Sequence, residues 1–186
     1  TRLRFAAGDA GLGEEMTAMA RRVLEQQRDG AKLAHDAADM RARVARDKGD
    51  DGAWDLKLAP GAIMDLEFIA QFLTLQTAAK GGVHGNTSDA LIALGKAGAL
   101  REDEAGALAR ASQMLLSLTY VLRLAYAGKF NPENAADGLK TLLAKAGGAP
   151  DFPTLEQQVL ELRRFVRADL LRLFGEAATE AGLSPV

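Results

Sequence analysis

The stretch Trp54–Gln76, WDLKLAPGAIMDLEFIAQFLTLQ, constrains the fold more than any other part of the chain. It opens with an alternation in which Trp54, Leu56 and Leu58 would face one way and Asp55 and Lys57 the other, as in an extended segment lying on a core. Pro60-Gly61 breaks that pattern, and the apolar run that follows has the length of a helix. On a helical wheel Ile63, Leu66, Ile69, Ala70 and Leu73 cover one side, and Met64, Phe68, Phe72 and Leu75 cover the other. A helix apolar nearly all round must be packed on several sides, so this one is expected at the centre of the fold. Asp65, Glu67 and Gln71 are set into it, and polar groups in such a place need partners.

The remaining segments read as helices separated by short breaks. Gly8-Asp9 is a stop followed by a cap, and Leu12 to Gln27 has helical spacing in Met16, Met19 and Val23. Arg28-Asp29-Gly30 turns the chain into a more polar helix, Ala31 to Lys48, with a narrow stripe of Leu33, Ala37, Met40 and Val44. Gly49-Asp50-Asp51-Gly52 is the best candidate for an internal boundary. After the central helix, Gly81 to Asn86 reads as a loop, and Thr87, Ser88 or Asp89 as the cap of a helix running to about Ala97, stopped by Gly98. Glu102, Asp103 and Glu104 complement the dipole at the start of a long helix that reaches about Tyr126. A shorter helix from Asn131-Pro132 to about Ala146 follows. The last, Pro153 to Phe174, carries Leu155, Val159, Leu162, Val166, Leu170 and Leu173 as a bundle seam. The expected fold is all-α, an antiparallel helical bundle, with a helical lead-in over 1–52, the bundle over 53–178 and a frayed end at 179–186.

Composition excludes several function classes. Without cysteine there is no disulfide and no thiolate metal site. His35 and His84 lie far apart in sequence and read as ordinary imidazoles. A net charge of −2 leaves no electrostatic footprint for nucleic acid, and no apolar run approaches the ~20 residues that span a bilayer. No GxSxG, HExxH or phosphate loop is present. Asp65 and Glu67 point about 160° apart on the wheel and cannot share one ion. Two readings of these acids stay open: dipole complementarity plus hydrogen bonds that hold the Trp54–Gly61 segment, or a ligand-facing role for at least one of them. Lys57 ahead of a Pro-Gly turn, with unpaired helix-start amides behind it, is an arrangement that can receive an anion.

Lys57, Pro60-Gly61-Ala62, Asp65-Leu66-Glu67-Phe68 and Gln71 together resemble the Lys…Gly-Gly-x-x-Asp-Ile-Glu-Phe-x-x-Gln signature of the bacterial glutamine synthetase adenylyltransferase/deadenylylase family. Asn86-Thr87, Ala90-Leu91, Leu94, Gly98 and Leu100 resemble a further stretch of it, and Thr1 to Asp9 resembles the end of its nucleotidyltransferase domain. The acidic form of the signature, with Asp65, is similar to the C-terminal, adenylylating half. The resemblance implies a cytoplasmic enzyme that moves AMP from ATP to a tyrosine of glutamine synthetase, using Mg2+, with glutamine synthetase and a PII-type signalling protein as partners. It places the family's metal-binding acid pair upstream, so these 186 residues alone are expected to be inactive and to bind no cofactor.

By resemblance, Lys57 and Asp65 are the candidates for contact with nucleotide or with the neighbouring domain, and Pro60, Gly61, Glu67, Phe68 and Gln71 form the structural part of the signature. Ala62 and Ala59 stand where the family favours glycine, which would reduce close backbone approach to a nucleotide and favours a domain-joining role. Phe68, if fully buried, would cost about 3–5 kcal/mol on truncation to alanine. The rival class is a stand-alone helical interaction module without nucleotide chemistry.

Overall fold

A computed structural model describes residues 1, 3–50, 52–126 and 128–186. Among them the chain forms eight α-helices and no strand: α1 Ala10–Leu24, α2 Gly30–Lys48, α3 Ile63–Gln76, α4 Thr87–Lys96, α5 Glu102–Ala125, α6 Asp137–Gly147, α7 Phe152–Phe174 and α8 Glu176–Glu180. The fold is an all-α bundle, as the periodicity predicts.

Four helices start under a short acceptor side chain. Asp9, Asp29, Asn86 and Asp151 take the amides of Leu12, Lys32, Asp89 and Thr154 at 2.8, 3.0, 2.8 and 2.8 Å, the N-cap bond that satisfies one orphan donor of each helix. The cap of α4 is therefore Asn86, one residue before the three candidates read from the sequence. Helices α3, α5 and α6 start without a side-chain cap, and α3 lies at the centre. Its N-cap is Ala62, which has no side chain able to accept a hydrogen bond.

Helix α3 packs against α2, α4, α5 and α7. Leu66, Ile69, Leu73 and Phe72 are buried on different sides of it, and Phe72 meets Phe174 of α7 edge-on at 5.2 Å between ring centroids. The central position expected for this helix is therefore real. Phe68 is not its buried aromatic: it lies half-exposed at the edge of the core. Phe68→Ala is accordingly expected to cost about 1–2 kcal/mol in urea denaturation, well below the figure for a fully buried ring. A loss above about 3 kcal/mol would mean that Phe68 is enclosed in solution.

Three other expectations are revised. Trp54, Leu56 and Leu58 do not form an extended alternation; residues 52–62 are a succession of tight turns, because Asp55 captures the amides just after it. On α2 the buried face is Ala38, Arg41 and Ala42, while Met40 is exposed; the stripe lies one step round the wheel from the apolar one, because a buried arginine is part of it. The C-terminal segment expected to fray begins within helix α8 and makes contacts with the bundle. Helix α8 packs on α2, Ala178 is buried, and the Arg167 Nε–H donates to the Ser184 carbonyl at 2.7 Å.

The lead-in also divides. Helix α2 contributes Ala38 to the common core, whereas α1 buries Leu24 and leaves Leu12, Met16, Met19 and Val23 exposed. The boundary expected at Gly49–Gly52 includes Asp51, which lies outside the described residues.

Candidate functional site

The start of α3 is capped by main chain. The Ile63 N–H donates to the Leu56 carbonyl at 3.1 Å and the Met64 N–H to the Lys57 carbonyl at 3.0 Å. Asp55 makes this possible: its Oδ1 accepts the amides of Lys57 and Leu58, folding the loop so that its carbonyls face the helix. The amides that an anion would have used are thus satisfied by the loop itself. The anion cradle inferred from Lys57 and the Pro-Gly turn is already filled.

Below that cap lies a buried ionic cluster. Asp65 is fully enclosed; its Oδ1 accepts from Arg41 Nε at 2.5 Å, and its Oδ2 accepts from the Gly61 amide at 2.7 Å and from Arg167 Nη1 at 3.1 Å. Arg41 also donates to the Leu58 carbonyl at 2.9 Å. From α7, Arg163 donates to the carbonyls of Pro60 at 3.0 Å and Ala53 at 2.7 Å. Burial lowers the pKa of Arg163 and of Arg167, with the nearby carboxylates pushing back. Both remain cations, since guanidinium does not give up its proton in a protein. Charged groups without water are tolerated where, as here, each finds a carboxylate or carbonyl.

Asp65, a candidate for contact with nucleotide or a neighbouring domain, therefore spends its carboxylate on its own chain, tying α2, α3 and α7 together. Gly61 explains itself in the same way. At φ +77° it sits against α7, and a Cβ there would lie 1.9 Å from the Arg163 carbonyl oxygen. The close backbone approach that a glycine permits is made to a helix, not to a ligand. Ala59 and Ala62, where the resembling signature has glycine, are both fully buried, so their methyl groups fill core space. Pro60 contributes its carbonyl to Arg163. Glu67 is half-buried, and Gln71 and Thr74 of the same stripe line a small crevice with His84, Asn86 and Thr87 at the start of α4.

Lys57 alone of the signature's charged residues is exposed. It lines a groove of about 500 Å³ between the loop and the end of α5, beside Trp54, Arg123, Tyr126 and Phe130. Trp54 anchors the loop: it stacks on Phe152 at 5.3 Å, meets Phe130 edge-on at 5.0 Å, and donates from Nε1 to Glu156 at 3.3 Å.

Sequence reasoning missed Arg41, Arg163 and Arg167. A signal for the last two exists: Leu155, Val159, Arg163 and Arg167 follow one another at four-residue steps, so the arginines continue an apolar row of α7. Arginine on a buried row calls for a buried carboxylate; the apolar helix offers Asp65 and Glu67, and it is the structure that buries Asp65.

A second charged cluster joins α5 to α7. Arg172 Nη2 donates both to Glu104 and to Asp169, the latter at 3.1 Å, and Asp169 Oδ2 is buried with no hydrogen-bond partner. Burial, and then the neighbouring Asp169, raise the pKa of Glu104, partly offset by Arg172 and Arg101. A raised folded-state pKa means that Glu104 contributes stability when protonated, below the ordinary carboxylate range, and loses that contribution as the pH rises through the raised value. The native chain is therefore expected to gain stability relative to Glu104→Gln as the pH falls from neutrality into the carboxylate range. Urea midpoints at several pH values test this; parallel pH profiles would show that Glu104 titrates normally.

The chemistry available is limited. Among the described residues no group of three His, Asp or Glu side chains could hold a metal ion. Asp65, the acid central to the signature, is already paired, and His35 sits beside Asp39 and Glu180 on the exposed surface. These residues do not fit a magnesium–nucleotide centre. What they build is a joint between α2, α3 and α7, with Lys57 exposed beside it.

Comparison with known proteins agrees with the signature. The model of the GlnD PII-uridylyltransferase family matches residues 17–168. The chain belongs to that family. Proteins similar to the chain include the bifunctional glutamine synthetase adenylyltransferase/adenylyl-removing enzymes of Rhodopseudomonas palustris strain CGA009, 40% identical over 177 residues and 94% of this chain, and of Agrobacterium fabrum, 40% identical over 172 residues and 90% of it. The chain spans 18% and 17% of the length of those two relatives. No solved structure matches it. The resemblance read from Lys57 to Gln71 thus extends over 94% and 90% of this chain in those two relatives. No helix among the described residues is long and apolar enough to cross a membrane.

Proposed function

We propose that this chain is the helical domain that follows the nucleotidyltransferase domain in the C-terminal, adenylylating half of a glutamine synthetase adenylyltransferase. The whole enzyme moves AMP from ATP to a tyrosine of glutamine synthetase and so regulates nitrogen assimilation. It works in the cytoplasm with Mg2+ and answers to a PII-type signalling protein. The observation that carries this reading is the 40% identity maintained over 94% of the chain to an enzyme so named. Within it, the structural part of the signature, Pro60, Gly61, Glu67, Phe68 and Gln71, holds the joint, and Asp65 clamps it from inside. Lys57, exposed at the rim, is the residue that reaches nucleotide or the neighbouring domain.

Two measurements test the proposal. Incubation of the 186-residue chain with labelled ATP and glutamine synthetase is expected to leave the synthetase unlabelled, since the family's catalytic acid pair is placed outside these residues. In the full-length enzyme, Lys57→Ala is expected to lower turnover by roughly ten-fold or more, about 1.4 kcal/mol in transition-state terms, with an unchanged melting temperature. Activity that merely tracks the folded fraction would remove Lys57 from the contact surface. Transfer of UMP to a PII-type protein by the full-length enzyme, in place of AMP to glutamine synthetase, would move the assignment to the other activity named within the family.

A further inference from the structure

Helix α1 carries an apolar row that the bundle does not use. Leu12, Met16, Met19 and Val23 follow one another at steps of four, three and four residues, which sets them within about 60° round the helix. All four are between 48% and 60% exposed, and Leu24 is the buried residue of this helix. Among the described residues, α2 to α8 each contribute to the common core and α1 does not. The segment before α1 extends the same surface. Phe5 lies against the helix at Gly13, where a Cβ would come 2.3 Å from its ring. Leu3 and Phe5, each roughly half exposed, line a crevice of about 310 Å³ together with Leu12 and Met16. A helix of 15 residues is marginal by itself in water and draws its stability from packing an apolar face. Helix α1 has such a face and, among the described residues, no helix that covers it.

We propose that the row Leu12, Met16, Met19 and Val23, widened by Leu3 and Phe5, is the seat of the nucleotidyltransferase domain of the whole enzyme. The docking rests on the proposed function, in which such a domain comes just before these residues. Three observations favour this occupant. The chain spans 18% of the length of the similar enzyme from Rhodopseudomonas palustris, so an enzyme of that length has ample further chain to cover the row. Residues 3–9 belong to the stretch that resembles the end of the nucleotidyltransferase domain, and they already line the crevice beside the row. A domain tethered that closely is present at an effective concentration of about a millimolar, which a second copy of the chain reaches only in concentrated solution. The charges of α1 speak against a lipid surface. Glu14 and Glu15 are matched by Arg21 and Arg22, so the helix has no net attraction to anionic headgroups.

Met16 and Met19 report on this surface without any substitution, since peroxide converts an exposed methionine to its sulfoxide faster than a covered one. Met40, exposed on α2, is the internal reference. In the 186-residue chain the three are expected to oxidise at similar rates by peptide mass spectrometry, whatever the protein concentration. In the full-length enzyme Met16 and Met19 are expected to slow by roughly five-fold or more relative to Met40. Relative rates that are the same in both lengths overturn the proposal. So does protection in the 186-residue chain that deepens with protein concentration, which would give the row to a second copy. The functional reading fails separately. Protection of Met16 and Met19 in a full-length enzyme that transfers UMP to a PII-type protein supports the docking and overturns that reading. Unchanged relative rates in an enzyme that transfers AMP to glutamine synthetase overturn the docking alone.

Discussion

Asp65→Ala is expected to destabilise the chain by about 3–5 kcal/mol, the range seen when one partner of a buried ion pair is removed. The cost comes from what stays behind. Arg41 and Arg167 are both more than nine-tenths buried, and without the carboxylate they lose their shared counter-charge while the Gly61 amide loses its acceptor. Asp65→Asn keeps the shape and one acceptor oxygen but removes the charge, and a loss nearer 1–3 kcal/mol is expected from the imperfect hydrogen bonds. Urea denaturation of the two variants orders them. A loss below about 1 kcal/mol for the alanine variant would show that the two arginines reach water in solution, and the clamp would not exist as described. In the full-length enzyme the same variants should lose activity in proportion to the loss of folded protein, since Asp65 has no free oxygen to offer a ligand.

Gly61→Ala should be comparably damaging, by roughly 3 kcal/mol or more, although it adds a single methyl group. Two costs coincide. The residue occupies the left-handed region at φ +77°, which an L side chain adopts only with strain. The new Cβ would also fall 1.9 Å from the Arg163 carbonyl oxygen and 2.8 Å from its Cα, so helix α7 would have to move as a body. That displacement would carry Arg163 away from Pro60 and Ala53, and Arg167 away from Asp65. Alanine at Gly98, also at positive φ but with open space around its Cβ position, supplies the control for backbone strain alone. Equal losses at the two positions would mean that the contact with α7 contributes nothing.

The helical bundle was legible in the sequence because its information is local and periodic. Asp9 marks a helix start through a bond three residues long, and the all-round apolar run from Ile63 to Gln76 has no stable place except the centre. The signature from Lys57 to Gln71 was legible for another reason: it is a string of residue types, and the family comparison bears it out. What each of those residues does was not. Trp54–Leu58 looks like a strand in one dimension, and only the capture of two amides by Asp55 turns it into a cap for α3. Nor could the pattern show that Asp65 faces inward, because its partners lie 24 and 102 residues away in the chain. A glycine that admits a helix and a glycine that admits a phosphate are written with the same letter. The sequence by itself determined where the helices run and which family they belong to. The tertiary structure decided that the acid and the glycine of the signature hold the bundle together while the lysine looks outward, because burial and pairing are set by contacts between segments and not by any spacing within one.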